Sequence, residues 1–181
     1  MPGLDHVYLV VTAAGTARRA PEIAQRLAGL GARLVVLLTP NTHRIVAARE
    51  LALALEAQPD ARIVESYFDD AILPRPPNGV VLVAPCSFDA LNKLAQGIAD
   101  NLALSVVAEA IGRGTPVIVA ISVNPPLWAH PRAQESARAL RSWGVEVIDP
   151  AAEGDWLTLA PTEALVGAVR RALERSSAPT S

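Results

Sequence analysis

Short apolar segments alternate with amphipathic segments along most of this chain. Residues 7–11, 34–38, 80–84 and 117–121 are almost entirely apolar and rich in valine, isoleucine and leucine. Their length and β-branched content predict strands, and the helical spacing of apolar positions between them predicts helices. Strands that are apolar on both faces and alternate with helices indicate a parallel sheet covered on two sides. The sequence therefore predicts an α/β fold, a single-domain doubly wound parallel sheet forming a Rossmann-like or flavodoxin-like three-layer sandwich.

The rest of the pattern completes this prediction. Two shorter strands are expected at 62–66 and 146–148, and helices at about 23–30, 42–55, 88–111, 132–143 and 162–174. Three prolines between residues 74 and 79 exclude regular structure there, because proline can neither donate a ladder hydrogen bond nor continue a helix. One domain is expected to span residues 1–175, followed by a disordered tail at 176–181.

Composition and charge narrow the class of protein. Hydrophobic residues make up 51% of the 181 residues and charged residues 19%, which suits one compact core. The net charge is −2 and the basic residues are scattered, so nucleic acid is not expected as a partner. The apolar runs are too short to cross a bilayer, and the first ten residues do not resemble a secretory signal. We therefore expect no membrane association and a cytoplasmic location.

Polar turns follow four of the predicted strands. They span residues 12–16, 39–42, 85–89 and 122–128. Turns that follow parallel strands share one edge of the sheet, and open α/β folds bind ligands at that edge. The four turns are therefore expected to form one binding site.

The residue types in these turns favour a phosphorylated ligand. Small side chains let a ligand approach the backbone, hydroxyls donate and accept hydrogen bonds, and helix N-termini supply free N–H groups. The small residues are Ala13, Ala14 and Gly15, and the hydroxyls belong to Thr12, Thr39 and Ser87. Neither a GxGxxG fingerprint nor a Walker lysine motif is present, which removes support for ordinary NAD binding and nucleoside triphosphate hydrolysis. The alternative, that these are ordinary turn and helix-cap residues, applies to each of them taken alone.

Few residues are candidates for acid/base or nucleophilic chemistry. His43 lies in the second turn, and Asp69 and Asp70 precede the proline-rich segment, but each also suits a solvated surface position. Asn124 lies between an apolar strand and two prolines, so a rigid turn would present its amide to a ligand. Cys86, the one cysteine, is expected to pack as a small apolar residue rather than to act as a nucleophile. A single cysteine also excludes an internal disulfide, and no cysteine/histidine spacing predicts a metal site.

Three segments of the chain resemble a known family. Residues 10–22 read VVTAAGTARRAPE, residues 85–102 read PCSFDALNKLAQGIADNL, and residues 121–128 read ISVNPPLW. They resemble the opening flavin-binding turn, the Pro-Ala-Ser-Ala-Asn-Thr block and the Pro-x-Met-Asn-x-x-Met-Trp motif of the flavin-dependent cysteine decarboxylases. This family includes phosphopantothenoylcysteine decarboxylase and the peptidyl-cysteine decarboxylases of lantibiotic biosynthesis, with flavin prenyltransferase as a relative.

The resemblance implies a non-covalently bound FMN cofactor, assembly as a homotrimer or homododecamer, and a small-molecule or peptide substrate with a thiol and a carboxylate. It places cofactor contacts at Thr12, Ala13, Ala14, Gly15, Thr39, Cys86, Ser87, Phe88 and Ala90. It places a substrate contact at Asn124. Lys93, Asp100 and Asn101 also match the family pattern, and we interpret them as packing or interface residues. The implied reaction oxidises the thiol of the substrate, so that CO2 leaves from a thioaldehyde.

The chain departs from the family pattern at two functional positions. The family's catalytic histidine has no counterpart in residues 69–73, where Ala71 or a neighbour takes its place. Residues 151–161 lack the cysteine of the family's substrate clamp. The missing histidine removes the family's usual base, and the missing clamp cysteine favours the C-terminal cysteine of a peptide over phosphopantothenoylcysteine as the substrate.

Three functions remain open. In the first, the protein decarboxylates a thiol carboxylate, with Asp69, Asp70 or His43 transferring protons in place of the histidine. In the second, it binds FMN without decarboxylase activity, as a flavin carrier, redox sensor or partner subunit. In the third, it is a flavin prenyltransferase-like enzyme, which is disfavoured because Val123 and Asn124 replace the arginine and glutamate expected there.

Overall fold

The computed structural model describes residues 5–72 and 79–177, and within them six strands form one sheet. The strands are β1 (His6–Val11), β2 (Arg33–Leu38), β3 (Ala61–Val64), β4 (Gly79–Cys86), β5 (Val117–Ile121) and β6 (Glu146–Ile148). Their order across the sheet is β3-β2-β1-β4-β5-β6, and every neighbouring pair is parallel. This confirms the predicted doubly wound α/β fold.

Helices cover both faces of the sheet. They are α1 (Ala20–Ala28), α2 (Ala48–Ala54), α3 (Phe88–Ala95), α4 (Leu102–Arg113), α5 (Pro125–Ala129), α6 (Pro131–Ser142) and α7 (Thr162–Ser177). One apolar cluster joins one face of the sheet to α1, α2 and α7, and a second joins the other face to α3, α4 and α6. In β1, Val7 and Leu9 belong to the first cluster, whereas Tyr8 and Val10 belong to the second. Burial on both faces explains why the strands read as continuous apolar runs.

Three elements differ from the sequence prediction. The helix expected at 88–111 is two helices, because Gly97 adopts a left-handed conformation (φ 69°) just after α3 ends. The helix expected at 42–55 is a 3-10 turn (Thr42–Arg44) followed by α2. A short antiparallel hairpin also follows β6, in a segment where no apolar run predicts strands. It consists of β7 (Ala151–Glu153) and β8 (Trp156–Thr158).

Some predicted features lie at or beyond the limits of the described residues. The last helix continues through Ser177, past residue 175 where the domain was expected to end. Residues 178–181 of the expected tail lie outside the described residues, as do residues 73–78 of the proline-rich segment. In the two described ranges, no helix combines the length and apolar character needed to span a membrane.

The order of the strands creates a switch point between β1 and β4. From β1 the chain extends the sheet outward through β2 and β3, and it then places β4, β5 and β6 on the other side of β1. The connections that leave β1 and β4 therefore diverge, which opens a crevice at the carboxyl ends of these two strands. The polar turns of the chain gather at this crevice.

Candidate functional site

Thr12, directly after β1, joins the two turns that flank the crevice. Its backbone N–H and its hydroxyl both donate to the carbonyl of Pro85, at 3.2 and 2.8 Å. Its hydroxyl oxygen also accepts a hydrogen bond from the backbone N–H of Ser87 at 2.8 Å. Thr12 is 1% exposed, so these bonds are shielded from water. One side chain therefore holds the turn after β1 against the turn after β4.

Hydroxyl groups connect the other two turns to the same edge. The Thr39 N–H donates to the Val11 carbonyl at 3.0 Å, and the Thr42 hydroxyl donates to that carbonyl at 2.9 Å. The hydroxyl oxygens of Thr39 and Thr42 lie 2.9 Å apart. Those of Thr16 and Ser122 lie 2.7 Å apart, which links the first turn to the turn after β5. The structure thus confirms that the four polar turns converge.

A cavity of about 410 Å³ opens between these turns, and we call it the hydroxyl-lined cavity. It is lined by Thr12, Ala13, Thr39, Pro40, Asn41, Ser87, Asp89, Ala90, Lys93, Asp100, Asn101 and Leu104. Five of the predicted cofactor contacts are in this lining, namely Thr12, Ala13, Thr39, Ser87 and Ala90. Its volume falls in the range of about 300–1,000 Å³ that is typical of ligand and cofactor sites.

The N-terminus of α3 lies at this cavity. The Ser87 hydroxyl caps the helix by accepting the Ala90 N–H at 3.3 Å. Other N–H groups of the first turn have no acceptor within the helix, and the helix dipole favours an anion at this end. The cavity therefore combines hydroxyls, backbone donors and a helix N-terminus, a combination that suits a phosphate group.

Charged side chains line the same cavity, although the sequence pattern identifies Lys93 and Asp100 only as packing or interface residues. The Lys93 ammonium lies 2.8 Å from Asp100 and 3.2 Å from Asp89. Asn101 donates to Asp100 at 3.0 Å and caps α4 by accepting the Leu104 N–H at 3.1 Å. The four-residue spacing of Asp89 and Lys93 within a helix is a sequence signal for the first pair. Asp100 follows the break between α3 and α4, so its pairing depends on the fold.

These contacts favour the charged forms of both partners. The hydrogen bond to Asp100, followed by the one to Asp89, raises the pKa of Lys93. The hydrogen bond from Lys93 lowers the pKa of Asp100. At neutral pH, Lys93 is therefore a cation and Asp100 an anion.

The remaining predicted cofactor residues lie outside the lining of the hydroxyl-lined cavity. Cys86 is fully buried in the apolar cluster below α3 and α4, and burial raises the pKa of its thiol far above the usual range. This confirms that Cys86 packs as an apolar residue, which leaves its backbone as the part that a cofactor could contact, and the predicted contact stays a prediction. Phe88 packs edge-on against His130, with ring centroids 5.4 Å apart. Ala14 and Gly15 lie at the start of the 3-10 turn that follows β1.

Asn124 lies on the turn after β5, next to the crevice. Its side-chain oxygen caps α5 by accepting the Leu127 N–H at 3.0 Å, and the residue is exposed. Capping uses the oxygen, so the amide nitrogen, which carries two N–H donors, is the atom suited to a ligand carboxylate. The Thr16–Ser122 hydroxyl contact fastens this turn to the one after β1.

His43 lines a second cavity beside the first. This cavity has a volume of about 390 Å³, contains Glu65 and Phe68, and shares Pro40 and Asn101 with the hydroxyl-lined cavity. His43 itself is exposed. The structure thus places His43 next to the hydroxyl-lined cavity rather than in its lining.

Asp70 lies at the opposite edge of the sheet. It lines a cavity of about 360 Å³ together with His6 and Arg33, the first residues of β1 and β2. Asp69 precedes it, and the Asp69 carbonyl accepts the Ile72 N–H at 3.1 Å. Within one chain Asp70 is therefore separated from the hydroxyl-lined cavity, and its predicted role in proton transfer stays a prediction. Nor do three or more His, Cys, Asp or Glu side chains of the described residues group closely enough to hold a metal ion.

Proteins of related sequence include bifunctional proteins of coenzyme A biosynthesis and a phosphopantothenoylcysteine decarboxylase, in agreement with the resemblance seen in the motifs. The coenzyme A biosynthesis bifunctional protein CoaBC of Thermococcus kodakarensis is 33% identical over 98 residues, which cover 54% of this chain and 24% of that protein. Mus musculus phosphopantothenoylcysteine decarboxylase is 25% identical over 142 residues, which cover 76% of this chain and 69% of that protein. The chain spans 24% and 37% of the length of two bifunctional relatives that it matches.

Solved structures share the fold, and a family match covers most of the chain. TvaF, an FMN-dependent cysteine decarboxylase from thioviridamide biosynthesis, has a TM-score of 0.75 at 23% identity, over 95% of this chain and 99% of that chain. The FMN-binding protein AtHal3 has a TM-score of 0.78 at 19% identity, over 96% and 99% of the two chains. The Flavoprotein family matches residues 3–173. Because that match covers nearly the whole sequence, the chain belongs to the Flavoprotein family.

Proposed function

We propose that this protein binds FMN in the hydroxyl-lined cavity. The observation that carries the proposal is the convergence of the Thr12, Thr39 and Ser87 hydroxyls around a cavity of about 410 Å³ at the switch point of the sheet. The residues fit the cofactor, because hydroxyls and the N-terminus of α3 suit its phosphate and the volume suits a ligand of its size class. TvaF and AtHal3, which share the fold, depend on FMN or bind it.

The reaction we propose is oxidative decarboxylation of a thiol carboxylate, with a peptide C-terminal cysteine as the substrate. Bound FMN would supply the two-electron acceptor for this oxidation. TvaF is a cysteine decarboxylase, and a variant of the peptidyl-cysteine decarboxylase EpiD has been solved with the peptide DSYTC. The segment after Pro150 forms the β7–β8 hairpin and contains no cysteine, which favours a peptide over phosphopantothenoylcysteine.

Asn124 is the residue that we assign to the substrate carboxylate. Its amide nitrogen has two N–H donors, and its oxygen is held by the cap bond to the Leu127 N–H. A neutral amide donates to a carboxylate without adding negative charge, whereas an anionic residue at this position would repel the substrate.

Proton transfer requires a group other than the missing histidine, and we assign it to His43. The cavity of His43 shares Pro40 and Asn101 with the hydroxyl-lined cavity, so a substrate that spans the two cavities would reach the imidazole. A neutral imidazole has one nitrogen that accepts a proton and one that donates, which suits a group that accepts and returns a proton. Asp69 is the second candidate, and Asp70 the weakest because it faces the opposite edge of the sheet.

One observation favours a second function, which is FMN binding without decarboxylation. Ala71 stands where the family histidine is expected, and the neighbouring Asp70 lines the cavity at the other edge. In that case the protein would act as a flavin carrier, redox sensor or partner subunit. Flavin uptake is common to both functions, so turnover has to separate them.

The test is FMN uptake followed by anaerobic turnover. Purified protein should take up FMN, identified by chromatography of the released cofactor. Peptides that end in cysteine should then bleach the flavin absorbance and release CO2. Asn124→Asp should retain the cofactor and abolish bleaching, because aspartate caps a helix as well as asparagine does but repels the substrate carboxylate.

Asn92→Asp is the matched control, because it adds the same charge on the side of α3 that faces α6. Asn92 accepts the Ser136 hydroxyl at 2.8 Å, a bond that aspartate also accepts, so turnover should persist. Protein that cannot take up FMN would contradict the cofactor assignment. Bound FMN that no cysteine peptide bleaches would establish the second function, and full activity of Asn124→Asp would remove Asn124 from the site.

We also propose that the protein is cytoplasmic and assembles as a homotrimer or homododecamer, without a nucleic acid or membrane partner. Its net charge of −2 offers no general attraction to nucleic acid. The exposed side chain of Phe68, which lines the cavity that adjoins the hydroxyl-lined cavity, supports self-assembly.

A further inference from the structure

Lys93 is the only lysine among the 16 Lys and Arg residues of this chain. It lines the hydroxyl-lined cavity with its side chain 27% exposed. Its ammonium lies between two carboxylates that line the same cavity, 3.2 Å from Asp89 and 2.8 Å from Asp100. The proposed reaction gives this cluster no role, although no other cation is in the lining.

The cluster sets the charge that a bound ligand meets. One ammonium and two carboxylates give a net charge of −1, which would become −2 without Lys93. All three groups line the same cavity of about 410 Å³, and charges closer than the Debye length of roughly 8 Å at physiological ionic strength are only partly screened, so a ligand in the cavity interacts with all three groups. A phosphate monoester carries about −1.5 to −2 at neutral pH and is therefore sensitive to this balance.

We propose that Lys93 makes this cavity specific for a phosphorylated flavin, because it compensates one of the two negative charges of Asp89 and Asp100 and so allows the hydroxyls and the N-terminus of α3 to bind the phosphate of FMN in preference to uncharged riboflavin. The inference rests on the proposed FMN binding and names the side chain on which that preference depends. Asn101 holds Asp100 at 3.0 Å, so the ammonium is positioned at the cavity before any ligand arrives.

A purely structural role for Lys93 predicts a different result. Through Asp100, Lys93 fastens α3 to the loop that leads into α4, and this loop forms part of the cavity wall. Loss of that fastening would loosen the wall for every flavin, so FMN and riboflavin would lose affinity equally. Loss of an electrostatic role would instead weaken the binding of FMN and leave the binding of riboflavin unchanged.

The experiment measures FMN and riboflavin affinities of the protein by flavin fluorescence titration. Lys93→Met should lower the affinity for FMN about tenfold relative to the affinity for riboflavin, because an uncompensated negative charge then faces the phosphate. High salt should reduce this difference between the two affinities. Asp89→Asn makes the cluster neutral, so it should raise the affinity for FMN about threefold without changing the affinity for riboflavin. Arg171→Met is the control, since it removes an exposed cation paired at 3.4 Å with Glu146 at the start of β6.

The sole lysine also allows a direct chemical measurement. An amine-acetylating reagent modifies Lys93 and the N-terminal amine but no arginine. Mass spectrometry then measures the acetylated fraction of Lys93. FMN should protect Lys93 from acetylation more strongly than riboflavin does at equal occupancy.

Equal loss of FMN and riboflavin affinity in Lys93→Met would overturn the specificity role, as would an unchanged affinity for FMN. Wild-type protein that binds neither flavin would instead overturn the proposed function. If circular dichroism shows that Lys93→Met does not fold, the affinities of Asp89→Asn provide the test instead. An unchanged ratio of the FMN and riboflavin affinities in Asp89→Asn would then overturn the inference.

Discussion

At the scale of single residues, Thr12 holds the site together because its one hydroxyl satisfies two polar groups of the turn after β4. It donates to the Pro85 carbonyl and accepts the Ser87 N–H, both at 2.8 Å. Tyr8, in the strand just before, provides a contrast. Its hydroxyl is buried and has no hydrogen-bond partner among the described residues. Burial raises the pKa of Tyr8 well above its usual range, so the phenol stays protonated with an unpaired donor.

Thr12→Val and Tyr8→Phe each delete one buried hydroxyl and should have opposite effects on stability. Thr12→Val leaves the Ser87 N–H unpaired and should lower the free energy of unfolding by about 2 kcal/mol. Tyr8→Phe removes an unpaired polar group and should leave that free energy unchanged or raise it by up to about 1 kcal/mol. Urea denaturation followed by circular dichroism measures both. A loss in Tyr8→Phe as large as that in Thr12→Val would contradict the assignment of an unpaired phenol.

At the scale of secondary-structure elements, the break between α3 and α4 shapes the cavity. The helical spacing of apolar residues continues across the break, for example at Leu94, Ile98 and Leu102, so periodicity alone predicts one long helix. Gly97 instead adopts a φ of 69°, and Asn101 caps a new helix by accepting the Leu104 N–H. The break delivers Asp100 to Lys93 and places the loop in the cavity wall.

Gly97→Ala and Gly112→Ala form a matched pair that tests this break. A side chain at position 97 would be strained in the left-handed region, so Gly97→Ala should lower the free energy of unfolding by about 1–2 kcal/mol. Gly112 lies inside α4, where an added Cβ would meet no atom of another element within 4 Å, so Gly112→Ala should raise that free energy by about 0.5–1 kcal/mol. Chemical denaturation measures both variants. Stabilisation by Gly97→Ala would indicate a continuous helix instead of the observed break.

At the scale of the whole molecule, large aromatic side chains face solvent, and one of them lies beside the site. Phe68 is 87% exposed and lines the cavity that adjoins the hydroxyl-lined cavity, and Trp156, in β8, is 71% exposed. Exposed aromatic surface beside a ligand site is typical of a surface that another protein covers. Further copies of this chain would cover it in the homotrimer or homododecamer that the family resemblance implies.

Light scattering after size-exclusion chromatography should therefore give a mass of three or twelve times the 19.0 kDa of one chain. Phe68→Ser should lower that mass because it removes apolar surface from the predicted interface. Leu53→Ser is the control, since Leu53 is 68% exposed on α2 and lies outside the linings of both adjoining cavities. A monomeric wild-type protein would contradict the assembly, and an unchanged mass of Phe68→Ser would exclude Phe68 from the interface.

Prediction from the sequence succeeded where burial imposes a local pattern. Residues 80–84 are apolar because β4 is covered on both faces, and Ser87 follows them because a helix N-terminus needs an oxygen acceptor. The same reasoning could not identify the charged cluster around Lys93. A lysine four residues after an aspartate also suits an ordinary solvated helix face, so only the position of Asp100 relative to the cavity distinguishes the two interpretations.

By itself, the sequence determined that buried strands alternate with amphipathic helices, and therefore that the sheet is parallel and its polar turns share one edge. Only the tertiary structure decided which turns meet. The pairing of β4 with β1 brings the Ser87 N–H to the Thr12 hydroxyl across 75 residues, and the path of the chain after β3 carries Asp70 to the opposite edge. The physical reason is that local spacing reports which side of an element is buried, whereas strand order and loop path depend on packing between residues far apart in the chain.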